Sequence, residues 1–416
     1  MGYRSGSTAL RIALLAVLVS GLTPNMCSAE RIQLLLTGQI EQNINPLQGW
    51  LRGEPLIDYL AVPSRDLRNQ LGGDEAMERF IRIYFPRTYD DTRRFDFFLL
   101  NSPVTGLFEE KQLRWMYDAI TEGSGGLNTA SIMSQYVEVY GPWVNSVLQR
   151  AFPNDAPAVA RKMKGATSAI GSFRIEVNEQ FPEPVLTPFI KAGVERYVGV
   201  DSRFIILRDG ASAIAWQVGN FPGYQDVPFI AAWDYEEGRA LTTGDAFGHT
   251  FWSSYRGKES DNLYAPDMLI NMILYGVGLD PFEDIELPHR LRSSFRQYRE
   301  RMGILISLKD FVERFGASST RIDERISELS EQLEEASELY LEMDMEGCEE
   351  VMDDLWVAMG ETEALAVELK NSALMWVYLV EWLVTTSALM ISGFVVWSLM
   401  VRRRLYREAG TTKAKG

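Results

Sequence analysis

The sequence predicts an α/β domain built on a parallel sheet, followed by an antiparallel α-helical hairpin and one transmembrane helix. Three observations carry this. Residues 95–132 read as strand, helix, glycine-rich turn and strand, the order in which parallel strands are joined. Residues 318–373 hold two heptad patterns on either side of a glycine. Residues 382–401, WLVTTSALMISGFVVWSLMV, carry no formal charge. As a helix they would span roughly 30 Å, the thickness of a bilayer's hydrocarbon core.

The chain begins with Arg4 and Arg11, an apolar run over residues 12–22 that is too short to span, and Cys27-Ser28-Ala29 before Glu30. This is the pattern of a secretory signal, residues 1–29, cleaved after Ala29. A retained N-terminal anchor is the alternative. Signal removal leaves Cys348 alone, so no intrachain disulfide can form, and an intermolecular one stays open.

The α/β ectodomain is expected over residues 30–280. Residues 32–36 are an apolar strand ending at Thr37-Gly38, and residues 56–62 form a second short unit closed by Pro63. Residues 74–80 suit a short helix. FDFFLL, residues 95–100, is a continuous apolar run, as in a strand buried on both faces. Residues 105–122 are a helix with Thr105 as candidate cap, acidic residues in its first turn, and Leu113, Met116, Tyr117 and Ile120 on one face. Gly123 to Gly126 end it before a strand at 127–132. Residues 134–200 read as an insertion covering the carboxyl edge of the sheet, with a helix near 144–151. Strand-like runs follow at 204–207, 213–218 and 229–233; Glu236-Glu237-Gly238 makes a tight turn from which 239–243 pairs back as another strand, and a closing helix follows at 264–275.

Residues 281–317 read as a membrane-proximal linker whose stretch 304–315, ILISLKDFVERF, has an apolar face suited to an interfacial helix or to packing on the globular domain. In the hairpin, residues 318–373, Ile322, Ile326, Leu329 and Leu333 step by four and three, as do Val351, Leu355, Ala358 and Thr362 after Gly347. The segment holds 17 Asp plus Glu against 3 Lys plus Arg, a net −14 of the chain's −16. Such a run is ordinarily a solvated helical face; a diffuse site for divalent cations or a basic partner is the sharper reading. The transmembrane helix takes residues 374–401, with Trp376, Tyr378, Trp382 and Trp397 at its rims and Glu381 within it. Arg402, Arg403, Arg404 and Arg407 open a basic tail, residues 402–416, which places the C-terminus in the cytoplasm and makes the chain a single-pass type I protein of the cell membrane. The acidic balance argues against nucleic acid as a partner.

FDFFLLNSPVTGLFEEKQLRWMYDAITEGSGGL, residues 95–127, and VPFIAAWDYEEGRALTTGDAFGHTFWSSY, residues 227–255, resemble two blocks of the glutamine-amidotransferase-like domains of secreted and membrane-anchored prokaryotic proteins. The layout of signal, such a domain, helical hairpin and terminal span is similar to that of uncharacterised archaeal surface proteins. The resemblance covers most of residues 32–276, except 134–197. It implies a flavodoxin-like fold of the class I amidotransferase type.

Such enzymes place a cysteine nucleophile on a strand-to-helix elbow and take a histidine and a glutamate from later in the chain. Here the elbow falls at GGLNTASIMS, residues 125–134, which holds no cysteine, and His249 is followed by Thr250 and Phe251 rather than by the family's glutamate. A serine substitute would use Ser131 or Ser134 as nucleophile, His249 as base and Asp245 as its orienter, without a G-x-S-x-G elbow. His289, the other histidine, follows Pro288 in an Arg-rich stretch. Two distant histidines and one mature cysteine make no zinc pattern, no EF-hand spacing occurs, and Gly123 to Gly126 end a helix rather than open one. No metal and no cofactor are expected. Asp245, His249 and Trp252 form the most site-like group, either a loop held by hydrogen bonds or a ligand pocket at the carboxyl ends of the strands.

The leading expectation is a non-catalytic amidotransferase-like domain, displayed by its anchor, that binds a small ligand or protein partner at the cell surface. A surface hydrolase using Ser131 or Ser134 with His249 is the second. A structural protein that forms homo-oligomers through the hairpin is the third. The lipid bilayer is a partner in all three, through residues 374–401.

Overall fold

The computed structural model describes residues 30–40, 46–66, 71–129, 137–163, 168–194, 196–219, 221, 224, 226–247, 262–316 and 318–412. The chain divides into two compact units, one comprising residues up to 295 together with 337–345, the other residues 296–336 and 346–416.

The first unit is a mixed α/β fold around one nine-stranded sheet. Its strands are β1 (Ile32–Gln39), β2 (Ile57–Arg65), β3 (Phe97–Asn101), β4 (Gly125–Thr129), β5 (Ser168–Val177), β6 (Arg196–Arg203), β7 (Ser212–Val218), β8 (Asp226–Tyr235) and β9 (Gly238–Thr243). They lie in the order β2-β1-β3-β4-β9-β8-β7-β5-β6. The first five are parallel, and from β9 onward each neighbour is antiparallel. The expected parallel sheet therefore holds for one half, and the expected pairing back of 239–243 opens the other. The hairpin turn at Glu236, which adopts a left-handed φ of 54°, reverses the chain between β8 and β9 and begins the antiparallel half.

Helices α1 (Leu47–Arg52), α2 (Gly73–Tyr84), α3 (Tyr89–Thr92) and α4 (Glu110–Thr121) lie between the parallel strands. The start of α4 differs from the sequence reading. Residues 105–107 form a separate 3-10 turn, and the helix is capped at Glu109, whose N–H donates to Gln112 Oε1 at 2.9 Å in a capping box. The reciprocal Glu-Gln pair outcompetes Thr105, whose hydroxyl is buried without a partner among the described residues. Leu113, Met116 and Ile120 face inward as expected, joining Phe98, Leu100 and Phe152 in the core.

Residues 134–200 are not a detached insertion. After α5 (Val137–Asn145), a 3-10 turn at Leu148–Ala151 and α6 (Ala156–Met163), β5 enters the sheet, α7 (Thr187–Lys191) follows, and β6 forms the far edge. The expected strand at 204–207 is irregular, touching Asn154 by a single bridge at Leu207. Helix α8 (Ala265–Gly276) is buried at every residue but Pro266, its apolar residues in the core and its Asp267 and Asn271 paired, the latter with Phe282.

Helix α9 (Glu286–Arg314) replaces the expected linker. Its inward residues Leu291, Phe295, Tyr298, Leu305 and Val312 step by four, three, seven and seven. It is followed by α10 (Thr320–Leu341) and α11 (Met345–Thr412), the latter 68 residues without a break. The turn between α10 and α11 is not at Gly347, which lies inside α11. It is a Schellman closure in which Asp344 N donates to Leu339 O at 2.9 Å and Met343 N to Tyr340 O at 3.1 Å, with Met343 left-handed at φ 63°.

The second unit has its own apolar core, in which Tyr298 and Leu305 of α9, Ile322 and Leu329 of α10, and Leu355, Met359 and Ala366 of α11 pack together. Tyr298 Oη donates to Leu329 O at 3.3 Å, and Lys309 pairs with Asp323 at 2.7 Å. The heptad seams thus face one another and α9 within one chain. Beyond this core α11 is long and apolar enough to cross a membrane: its most apolar stretch has a mean hydropathy of 1.8 and none of it is buried. Thr385 and Thr386 donate back to Glu381 O and Trp382 O, each at 2.7 Å, so these hydroxyls are satisfied without water.

Candidate functional site

Every described residue of the most site-like group sits where the parallel strands end. A strand that stops at a sheet edge exposes its last backbone groups, and small hydroxyl and amide side chains there can satisfy one another. The ends of β1 to β4 and β9 supply Thr37, Ser64, Asn101, Ser102, Asn128, Thr129, Thr242 and Thr243, all buried. Thr37 Oγ1 and Ser64 Oγ lie 2.9 Å apart. Asn101 Nδ2 donates to Gln39 O at 2.9 Å while its Oδ1 accepts from Phe247 N at 3.1 Å, so one side chain joins β1, β3 and the segment after β9. The Thr242 hydroxyl donates to Asn128 Oδ1.

Two backbone features make the edge compact. Gly38 has φ +117°, and a Cβ there would stand 2.0 Å from Asn101 O, so only glycine lets the loop after β3 close over β1. Ser102 is left-handed at φ 56°, a rare conformation for a residue with a side chain. It is held there by its N–H donating to Thr129 Oγ1 at 2.9 Å, by its hydroxyl at 2.9 Å from the same oxygen, and by Arg65 Nη1 donating to its carbonyl at 3.3 Å. Reading the sequence missed Ser102; the signal was Asn101-Ser102-Pro103 directly after an apolar strand.

Asp245 follows β9 and is fully enclosed, 3% exposed. Its Oδ1 accepts from Ala246 N at 2.7 Å, while Oδ2 has no partner among the described residues, nor has the Thr243 hydroxyl two residues earlier. Burial pushes the Asp245 carboxyl up to about 7, opposed only by the Ala246 hydrogen bond. It can therefore exchange a proton near neutral pH, and it offers an unused oxygen to a donor. The other residues of the expected group, Ser131, Ser134, His249 and Trp252, lie outside the described residues.

The second histidine is not in a linker. His289, on the first turn of α9, has Nδ1 2.8 Å from Asp267 Oδ2 and packs against Tyr264 with tilted rings, centroids 5.0 Å apart. Asp267 and Glu54 both bind the Arg292 guanidinium, and Tyr340 Oη lies 3.5 Å from Glu54 Oε2. Burial and the neighbouring Glu54 hold the Tyr340 hydroxyl protonated. This cluster is structural in geometry: the guanidinium is enclosed and ion-paired on two sides. Cys348 is buried in α11 and belongs to neither group. No group of described residues has the make-up of a metal site. Two open grooves lie elsewhere in the first unit, one of 880 Å³ lined in part by Arg174, Glu176, Lys191 and Trp216, and one of 440 Å³ at the amino ends of β1 and β3.

No known family matches this chain. No curated protein matches it either. Among solved structures it is similar to cytoplasmic protein STM3548 from Salmonella typhimurium, with 13% identity and a TM-score of 0.41 over 58% of this chain and 98% of that one. It is also similar to cytoplasmic protein STM1381 from Salmonella typhimurium LT2, with 14% identity and a TM-score of 0.43 over 59% of this chain and 99% of that one.

Proposed function

We propose that this chain is a single-pass type I protein of the cell membrane whose α/β domain stands on the extracytoplasmic side and binds a ligand or protein partner there without catalysing a reaction. The observation that carries the binding reading is Asp245: an enclosed carboxylate with one oxygen that has no partner among the described residues, two residues from the Thr243 hydroxyl, which also has none there, at the carboxyl edge of parallel strands. That edge is where open α/β sheets place ligands. The order β2-β1-β3-β4-β9 among the parallel strands supports a flavodoxin-like domain, and with it the resemblance to class I amidotransferases.

The non-catalytic reading rests on the elbow. The strand that should present the nucleophile, β4, ends in Thr129, whose hydroxyl is committed to Ser102, and Cys348 is buried in another unit of the chain. Homo-oligomerisation through the hairpin has less support, because Leu329, Leu355 and Met359 already pack within the chain and a partner copy would have to displace α9.

A serine-reactive fluorophosphonate applied to the purified full chain tests the absence of catalysis. No labelling is expected; labelling that disappears in a His249→Ala variant would replace this reading with a hydrolase. Protease added to intact cells tests the topology: it should remove the α/β domain and leave a C-terminal tag protected.

A further inference from the structure

We propose that the carboxyl end of α9, residues 311–316, is a lipid-contacting foot, bedded in the headgroup layer of the same bilayer that α11 crosses. The proposal rests on the membrane-spanning reading of α11 and adds a second contact that residues 374–401 do not include.

The argument is one of level along the helices. In the second unit α9 runs parallel to α11. Midway along it, Arg301 lies 3.6 Å from Glu363 and 5.1 Å from the centre of the Trp356 ring; ten residues on, Lys370 Nζ lies 5.8 Å from the centre of the Phe311 ring. Two parallel helices advance together at about 1.5 Å per residue. Phe315, four residues beyond Phe311, is therefore level with Leu374, four beyond Lys370. Trp376 is only about 3 Å further along the axis. The end of α9 thus stands at the rim where Trp376 and Tyr378, each 62% exposed, begin the interfacial belt of the span.

The residues at that level suit a headgroup layer. Phe311 and Phe315 pack with tilted rings, centroids 4.6 Å apart, and Phe315 is 43% exposed at the helix end. Arg314 and Arg321 are exposed on either side of the turn. Gly316, at φ +75°, stops α9 and turns the chain back before it would run on into the bilayer. Charge is graded in the same sense. Residues 325–367, further from the span, hold fourteen Asp plus Glu against one Arg, whereas residues 309–324 are balanced to within one charge. A dense acidic segment is repelled by anionic headgroups, and a near-neutral turn with aromatic and arginine side chains is drawn to them. Aromatic rings and arginine stems that would otherwise face water explain why α9 ends here.

The test uses the full chain in vesicles of phosphatidylcholine and phosphatidylglycerol, with Cys27→Ala and Cys348→Ala so that one spin label can be placed at a time. Labels at Arg314→Cys and Phe315→Cys read collision with oxygen against a water-soluble nickel chelate. Val357→Cys, exposed on the stalk portion of α11, is the aqueous control and Leu389→Cys the lipid control. A ratio at 314 and 315 severalfold above that at 357 is expected. Ratios equal to that at 357 overturn the foot while leaving the anchor intact, provided the protein resists alkaline extraction. Extraction of the protein by alkali overturns the anchor and the foot together.

Discussion

Arg292→Met should unfold the first unit well below the wild-type temperature. The guanidinium is the shared partner of Glu54 and Asp267, and the three residues are 8%, 2% and 2% exposed. Removing it strands two enclosed carboxylates, whereas the thioether replaces only the packing of its stem, which lies 5.3 Å from the centre of the Phe282 ring. Removing one partner of a buried pair costs about 3–5 kcal/mol, most of it the stranded charge. For a unit of this size each kcal/mol lowers the melting temperature by roughly 2–4 °C, so a fall of roughly 6–20 °C is expected. The assay is near-UV circular dichroism of the detergent-solubilised chain, reading the aromatic core. The combination Glu54→Gln, Asp267→Asn and Arg292→Met should recover much of the loss, because it leaves no charge behind. A single variant melting within a degree or two of wild type would refute the reasoning by showing that water reaches the cluster. A combination as unstable as the single variant would place the cost in packing instead.

Asp245 gives a pH signature. Its folded value of about 7 lies above the model-peptide value near 3.8, so the folded state binds the extra proton between them. Stability is then full below about pH 4, falls as pH rises towards 7 and levels off above it, a loss of roughly 4 kcal/mol. Asp245→Asn should abolish that fall, measured as urea midpoints from pH 4 to pH 8. Gly38→Ala places a Cβ 2.0 Å from Asn101 O in a left-handed backbone and should cost about 2–5 kcal/mol by urea unfolding. Met343→Gly relieves a left-handed residue at the α10–α11 turn and should stabilise by about 0.5–1 kcal/mol, read as a raised melting temperature.

What could be read along the sequence was what neighbours in the chain decide. FDFFLL gave β3 because the four consecutive apolar residues Phe97 to Leu100 need burial on both faces. The heptads at 322–333 and 351–362 gave two helices, and the order of strand, helix and strand gave the parallel half. Leu291, Phe295, Tyr298, Leu305 and Val312 carried the same periodicity, so α9 was legible; the arginines between them masked it as a linker. The carboxyl-edge cluster was only half legible. Asp245 stood out as an acid after an apolar strand, but Ser64, Ser102 and Thr129 look like ordinary turn residues until five strands bring them together.

By itself the sequence determined a C-terminal helix apolar enough to cross a membrane, because a run of twenty uncharged residues can be satisfied in lipid only as a helix. It also determined the acidic hairpin and the absence of a cysteine at the elbow. The tight turn at Glu236 was legible, but only the tertiary structure decided that β9 also pairs with β4 and that β5 and β6 extend the antiparallel half, since those pairings join distant segments with no local code. The same holds for Arg292, whose partner Glu54 is 238 residues away. A charge is tolerated in a core only beside its counter-charge, and which distant residue supplies it is fixed when the chain closes.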